Sequence, residues 1–161
     1  MGDGMICLLP VTWDDSADLL RWRNDPVTRA NSRNTAEVSP DDHQAWMRVC
    51  MSPSHPKGKV WIADVDGTSV GMVRIAADCE VSINVAPEHR GKGYSKTMLK
   101  QALDQMKVPY LFAEIKQTNA ASRHIFEQCG FEMADESDGI LRYRIDLSCD
   151  TYSRVSRSGT S

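Results

Sequence analysis

The sequence predicts an α+β fold, a mixed sheet covered by helices, in one domain. Three observations carry this. Residues 60–76 read as two strands joined at Asp66-Gly67, a dipeptide that favours a tight hairpin turn. Residues 81–95, VSINVAPEHRGKGYS, read as a strand, a break at Pro87 and a glycine-rich turn that opens a helix. Beyond them, apolar strand-like runs alternate with helices that carry their own start and stop signals. A chain of 161 residues is long enough to bury a core. With no internal repeat, residues 1–147 are expected to form a single domain.

Taken in order, residues 5–9 are a short apolar run ended by Pro10 and predict the first strand. Thr12 is placed to cap a helix with Asp14 and Asp15 in its first turn and Leu19, Leu20 and Trp22 on its buried side. Asn24-Asp25-Pro26 ends it, because the residue before proline avoids helical backbone. Residues 27–36 read as a short helix and a loop. Ser39-Pro40-Asp41-Asp42 is a helix start with a capping serine, proline at the first position and acids in the first turn. His43, Trp46, Met47 and Cys50 then share one face. Residues 52–58 read as a loop, residues 60–65 and 69–76 as the hairpin, and residues 80–85 as a central strand. In the next helix Tyr94, Met98, Leu99, Ala102, Leu103 and Met106 form an apolar stripe, which is core. Residues 110–115 are a strand. Asn119 caps a helix whose Ala121, Ile125, Phe126 and Cys129 face inward, and Gly130 ends it. Residues 131–133 and 140–147 are the last strands. From residue 148 the chain is rich in Ser, Thr and Arg without a hydrophobic period and reads as a disordered tail.

Composition narrows the function classes. A net charge of −3 argues against a nucleic-acid partner held by a basic surface. No apolar run is long enough to span a membrane, and the N-terminus lacks the basic start and apolar core of a signal peptide. A cytoplasmic protein with no membrane partner is therefore expected. Cys7, Cys50, Cys79, Cys129 and Cys149 are scattered and form no CxxC pair, which predicts reduced thiols mostly packed in the core and no metal site.

Residues 90–95 lie where the backbone turns sharply. Glycine lets backbone approach a ligand, and the first N–H groups of the following helix, with its dipole, suit a phosphate or pyrophosphate. The GxxxxGK[ST] pattern is absent, and Gly91 and Gly93 lack the third glycine of GxGxxG. What remains is a strand, VAPEHRGKGYS, an amphipathic helix, a strand, then Asn119-x-x-Ser122 and Cys129-Gly130-Phe131. Over roughly residues 5–147 this pattern resembles the GNAT superfamily of acetyl-CoA-dependent N-acyltransferases. The R-x-x-G-x-[G/A] signature appears as Arg90-Gly91-Lys92-Gly93-Tyr94-Ser95, with serine in the last place.

The resemblance implies a mostly antiparallel sheet, helices on both faces and a central strand splayed from its neighbour. Ile83 and Val85 would hydrogen-bond the pantetheine arm of acetyl-CoA. N–H groups from Arg90, Gly91, Lys92, Gly93, Tyr94 and Ser95 would cradle its pyrophosphate, although Arg90 and Lys92 also read as solvated charges. Asn119 would reach the cofactor from its helix cap or be a plain cap, and Phe126 would line the same site. No metal is implied, and a homodimer is expected only from family habit. At the N-terminal end, Leu20-Arg21-Trp22-Arg23-Asn24-Asp25-Pro26, with Asn34-Thr35 and residues 39–46, resembles bacterial enzymes that acetylate the 4-amino group of a nucleotide-linked amino sugar for pseudaminic acid and related surface glycans. Arg21, Arg23, Arg29, Arg33 and Trp46 are suitably typed for the diphosphate and base, and each of these charges also reads as simply solvated. The Arg-Asn-Asp-Pro piece also occurs in ribosomal-protein acetyltransferases, so a protein N-terminal or lysine acceptor is the alternative.

Acetyl transfer needs a neutral amine. His43, Glu80 and Ser82 are the base candidates; Glu80 and Ser82 share a strand face with Asn84. His43 also reads as a surface histidine beside Asp42, and Glu80 as a solvated strand-end charge. His89 and His124 read as surface. The Val85 N–H could stabilise an oxyanion. Much of the family has a tyrosine four residues before the Gly-Phe pair to protonate the leaving thiolate; this chain has Phe126. Solvent, or a hydroxyl from Tyr94 or Tyr143, would have to serve, or the chain is a non-catalytic acyl-CoA-binding module.

Overall fold

A computed structural model describes residues 5–52 and 59–147; the rest of the expected 52–58 loop, Cys149 and the expected tail lie outside the described residues. The elements are β1 (Ile6–Pro10), α1 (Ser16–Arg23), α2 (Pro26–Ala30), α3 (Pro40–Met51), β2 (Lys59–Val65), β3 (Thr68–Ile75), β4 (Val81–Val85), α4 (Tyr94–Gln105), β5 (Tyr110–Lys116), α5 (Ala120–Gln128), β6 (Glu132–Ser137) and β7 (Ile140–Asp146). Short 3-10 turns precede α1 and follow β4.

Strands β1-β2-β3-β4 form one antiparallel sheet and β5-β7-β6 a second. They meet at an isolated parallel bridge between Glu80 and Phe112. There the Phe112 N–H donates to the Cys79 carbonyl at 3.0 Å. The expected mixed sheet is thus two antiparallel sheets joined by one parallel contact, and the splayed strand is β4.

The pleat decides what each face buries. Trp61 opposite Val73 and Ala63 opposite Gly71 face one side, and Ile62 opposite Met72 faces the other. The first set joins Met98, Leu99 and Ala102 of α4 in the main core. The second joins Leu19 and Trp22 of α1 and Met47 of α3. Helices therefore cover both faces of the first sheet. Gly71 permits close approach: a Cβ there would stand 2.5 Å from the Asn84 carbonyl oxygen, pushing β4 off β3.

Local chemistry fixes the segment that will flank the site. Asp25 caps α2 by accepting the Val27 and Thr28 N–H groups, each at 3.1 Å. Asn24 pins the following loop as a strand partner would: its amide donates to the Val38 carbonyl at 2.9 Å and accepts from the Val38 N–H at 2.7 Å. Asn24→Ala removes both bonds from a half-buried position. The expected cost is about 2 kcal/mol, a fall in Tm of roughly 4–8 °C for a chain of this size. Thermal unfolding checks this; an unchanged Tm would contradict it.

Several expectations shift. Leu20 is half-buried and Ala121 is exposed, so only Phe126 of the α5 inward set is fully buried. Cys7 is exposed on the outer pleat of β1, and Cys50, Cys79 and Cys129 are half-buried, so these thiols sit at the edge of the core. Strand β6 runs on to Ser137 and turns at Asp138-Gly139, whose φ values of 53° and 78° match the tight turn of Asp66-Gly67. No described helix is long and apolar enough to cross a membrane. Among the described residues no group of His, Cys, Asp or Glu could hold a metal ion.

Candidate active site

Where β4 and β5 part, a cleft of about 800 Å³ opens. Its first wall is backbone. The Ala86 N–H donates to the Val70 carbonyl at 2.8 Å. Strand groups alternate, so Ala86 and Asn84 face β3, while Ile83 and Val85 turn their N–H and C=O groups towards the cleft. Past the Glu80 bridge, no described strand pairs with that edge of β4.

The second wall is the glycine turn. Gly91 and Gly93 both have φ of 79°, a left-handed conformation that other residues adopt at a cost. Gly93 is the N-cap of α4 and, lacking a side chain, gives the helix start no cap bond. The first-turn amides therefore have no intrahelical acceptor. Gly91, Gly93, Tyr94 and Ser95 line the cleft, and a Cβ on either glycine would meet nothing within 4 Å. The backbone faces open space that an anion can enter. Two members of the expected cradle stand apart. The Arg90 N–H donates to the Pro87 carbonyl at 3.4 Å. Lys92 does not line the cleft; its Nζ lies 3.5 Å from His89 Nδ1. His89, expected on the surface, lines the cleft.

The Arg90 side chain ties this turn to α2. It donates to Asp25 Oδ2 at 2.6 Å and Thr28 Oγ1 at 3.0 Å, and the Thr28 hydroxyl donates to Asn84 Oδ1 at 3.2 Å. The Arg90 guanidinium holds the Asp25 carboxyl below the usual carboxylate range.

Further along, Asn119 caps α5, accepting the Ser122 N–H at 3.2 Å, and also lines the cleft. Phe126 is buried, edge-on to Phe131 with centroids 4.9 Å apart, and reaches the cleft wall. Tyr143 does not line it. Its fully buried hydroxyl donates to Glu127 Oε2 at 2.7 Å and accepts from Arg123 Nε at 3.3 Å, and burial pushes its pKa up. Of the two tyrosines considered as acids, Tyr94 is the one in the cleft.

The remaining wall is charged. Glu80, just before β4, and Ser82 and Asn84 on it line this wall with Glu114 of β5 and Arg33 of the loop after α2. Arg33 pairs with both Glu80 and Glu114. Burial raises the Glu80 pKa, with Glu114 and Asp78 adding to the rise and Arg33 opposing it.

His43 is elsewhere. It does not line the cleft, and the residue is only 6% exposed. Nε2 lies 2.9 Å from the Ser16 carbonyl oxygen and 3.1 Å from its hydroxyl, and the ring stacks on Trp46 at 5.7 Å. The helical face that carries it packs α3 on α1, which corrects its expected place in the acceptor cleft. His43→Ala should lower Tm through lost packing and a lost hydrogen bond of about 1 kcal/mol, and leave acetyl-CoA binding unchanged. A variant that loses cofactor binding at unchanged Tm would contradict this placement.

The arginines expected to converge do not all do so. Arg21 pairs with Glu88 at 3.0 Å and Asp18 at 3.3 Å, and Arg29 donates to the Thr35 carbonyl at 3.0 Å. Arg23 and Arg33 line the cleft; Arg21, Arg29 and Trp46 do not. Asp25, Thr28 and Glu114 were not singled out by sequence. Glu114 carried a signal, as the acid that interrupts the apolar run YLFAEIK.

Known proteins share this architecture. A Vibrio cholerae spermidine N-acetyltransferase solved with CoA and spermine superposes with TM-score 0.76 at 19% identity, covering 89% of this chain and 96% of that one. A Methanocaldococcus jannaschii domain gives TM-score 0.75 at 20% identity, covering 90% and 100%. A Salmonella typhimurium protein solved with its cofactor acetyl-CoA gives 0.72 at 20% identity, covering 89% and 95%. In sequence, the Vibrio cholerae spermidine N(1)-acetyltransferase is 29% identical over 80 residues, which is 44% of this chain and 46% of that protein. The match thus spans less than half the length of the curated relative. The family described as acetyltransferase (GNAT) domain matches residues 6–132. With that span covering most of the chain, the protein belongs to the acetyltransferase (GNAT) domain family.

Proposed function

We propose that the protein transfers an acetyl group from acetyl-CoA to the primary amine of a small cationic acceptor. One observation carries this: a single cleft joins an unpaired strand edge and a glycine-rich anion cradle to a pair of half-buried carboxylates. Acetyl-CoA supplies the activated acetyl thioester. Its arm suits the backbone groups of Ile83 and Val85, and its pyrophosphate suits the amides of Gly91, Gly93, Tyr94 and Ser95 at the positive end of α4. Asn119 and Phe126 flank the same space.

Glu80 is the base of choice. It lies in the cleft, and its raised pKa brings it closer to the proton it must take from an ammonium. Ser82, on the same strand face, is placed to relay that proton, and water carries it on. The amine then forms the new C–N bond as the C–S bond breaks. The Val85 N–H is placed to donate to the oxygen that gains charge. Phe126 offers no proton, so the departing thiolate takes one from solvent or from Tyr94.

A cationic acceptor fits this cleft better than a nucleotide-linked 4-amino sugar. Only two of the five residues typed for a diphosphate and base line it, and one of these, Arg33, has its charge met by Glu80 and Glu114. The Vibrio cholerae relative, named for spermidine, points the same way. A thiol-release assay with acetyl-CoA tests the reading against polyamines, a nucleotide-linked amino sugar and peptides with free N-termini. Release with polyamines is expected. Release with the sugar or peptides alone would overturn the choice of acceptor.

A further inference from the structure

The charged wall of the cleft is occupied from within. Glu80 sits where β4 and β5 last touch, opposite Phe112. Glu114 lies two residues further along β5. Their side chains are only 15% and 22% exposed. Two carboxylates so placed repel each other and have lost hydration, so the pair requires a cation. Arg33 supplies it. One guanidinium nitrogen stands 3.0 and 3.2 Å from the two Glu80 oxygens, and another meets Glu114 Oε1.

Arg33 itself is 56% exposed. The polar segment carrying it has other anchors. Arg23 donates to the Asn34 carbonyl at 2.9 Å, Arg29 to the Thr35 carbonyl at 3.0 Å, and Lys116 to the Ala30 carbonyl at 2.8 Å. Asn24 clasps Val38. The Arg33 side chain can therefore leave without unravelling its loop. The arginine end of both pairs is exposed, which keeps their net worth near the roughly 1 kcal/mol upper end for solvent-accessible pairs, so a cation that fits the carboxylates better can replace it.

We propose, building on the amine-acetylation reading above, that Arg33 is an internal stand-in for the acceptor. Its guanidinium holds the Glu80–Glu114 pair in the free protein, and a primary amine carrying a second cationic group displaces it into solvent. One ammonium then meets Glu80, and the second charge meets Glu114. A diamine satisfies both carboxylates at once. A monoamine leaves one of them to Arg33 or to water. Arg33 therefore sets specificity by competing for the acceptor subsite, and it releases the base when a suitable cation arrives.

The test is calorimetric binding of putrescine, with butylamine as the matched monoamine, to wild type, Arg33→Met and Glu114→Gln, all checked for folding by Tm. Arg33→Met should bind putrescine about fivefold more tightly than wild type, and gain less for butylamine. Glu114→Gln should weaken putrescine by a similar factor and affect butylamine less. If Arg33 merely braced the cleft, Arg33→Met would weaken both ligands. Unchanged or weaker putrescine binding in Arg33→Met would overturn the inference, as would putrescine bound by none of the proteins. Acetyl-CoA titration and butylamine-dependent thiol release, read separately, decide whether the broader amine-acetylation reading stands.

Discussion

Gly93→Val is expected to abolish acetyl-CoA binding in a chain that still folds. Gly93 holds φ of 79° as the N-cap of α4. A β-branched residue in that conformation costs roughly 1–2 kcal/mol or more, so the backbone will leave it. The helix then starts later, and the amides of Tyr94 and Ser95 turn from the cleft. Each hydrogen bond to a charged oxygen is worth roughly 1.5–3 kcal/mol, so losing two lowers affinity by more than about 100-fold. The core does not depend on this residue: a Cβ there meets nothing within 4 Å. Circular dichroism should show a folded protein and calorimetry no acetyl-CoA binding. Normal affinity would place the cradle elsewhere.

Glu80→Gln is expected to lower the rate of amine-dependent thiol release by about 100-fold or more, the usual contribution of a positioned base, with acetyl-CoA affinity unchanged. The pH profile separates this from a structural effect. The base must be ionised, so the rate rises as pH rises through its folded pKa. Burial lifts that pKa above the ordinary glutamate value, so the acidic limb lies at higher pH than an exposed carboxylate would give. In Glu80→Gln that limb should vanish. A retained limb would assign the proton to another group.

Much of this architecture is legible in the residues themselves. Asp66-Gly67, Ser39-Pro40 and Asn119 are local signals, set by φ preferences and caps, and they placed the hairpin and two helices. The glycine turn was equally local, since Gly91 and Gly93 are the residues that left-handed backbone requires. Asp138-Gly139 carried the same hairpin signal as Asp66-Gly67, yet the strand before it was expected only over 131–133; the structure carries β6 to Ser137 with every residue exposed. What sequence could not supply was convergence. His43 had the side-chain type of a base and the apolar periodicity of a buried face; the periodicity described it better, and its ring packs between helices. Asp25 read as part of a helix stop, whereas its carboxylate meets Arg90 across 65 positions of chain. Arg33 read as a solvated or ligand-seeking charge, and only the tertiary fold brings it to Glu80 and Glu114.

The most direct measurement is a single turnover: protein loaded with acetyl-CoA is mixed with a polyamine, and free thiol and acetylated amine are followed together. Thiol and acetylated amine appearing in equal amounts, and only when amine is present, is the predicted result. Tight acetyl-CoA binding with no amine-dependent thiol release would contradict the account and identify a module that holds the cofactor without transferring its acetyl group.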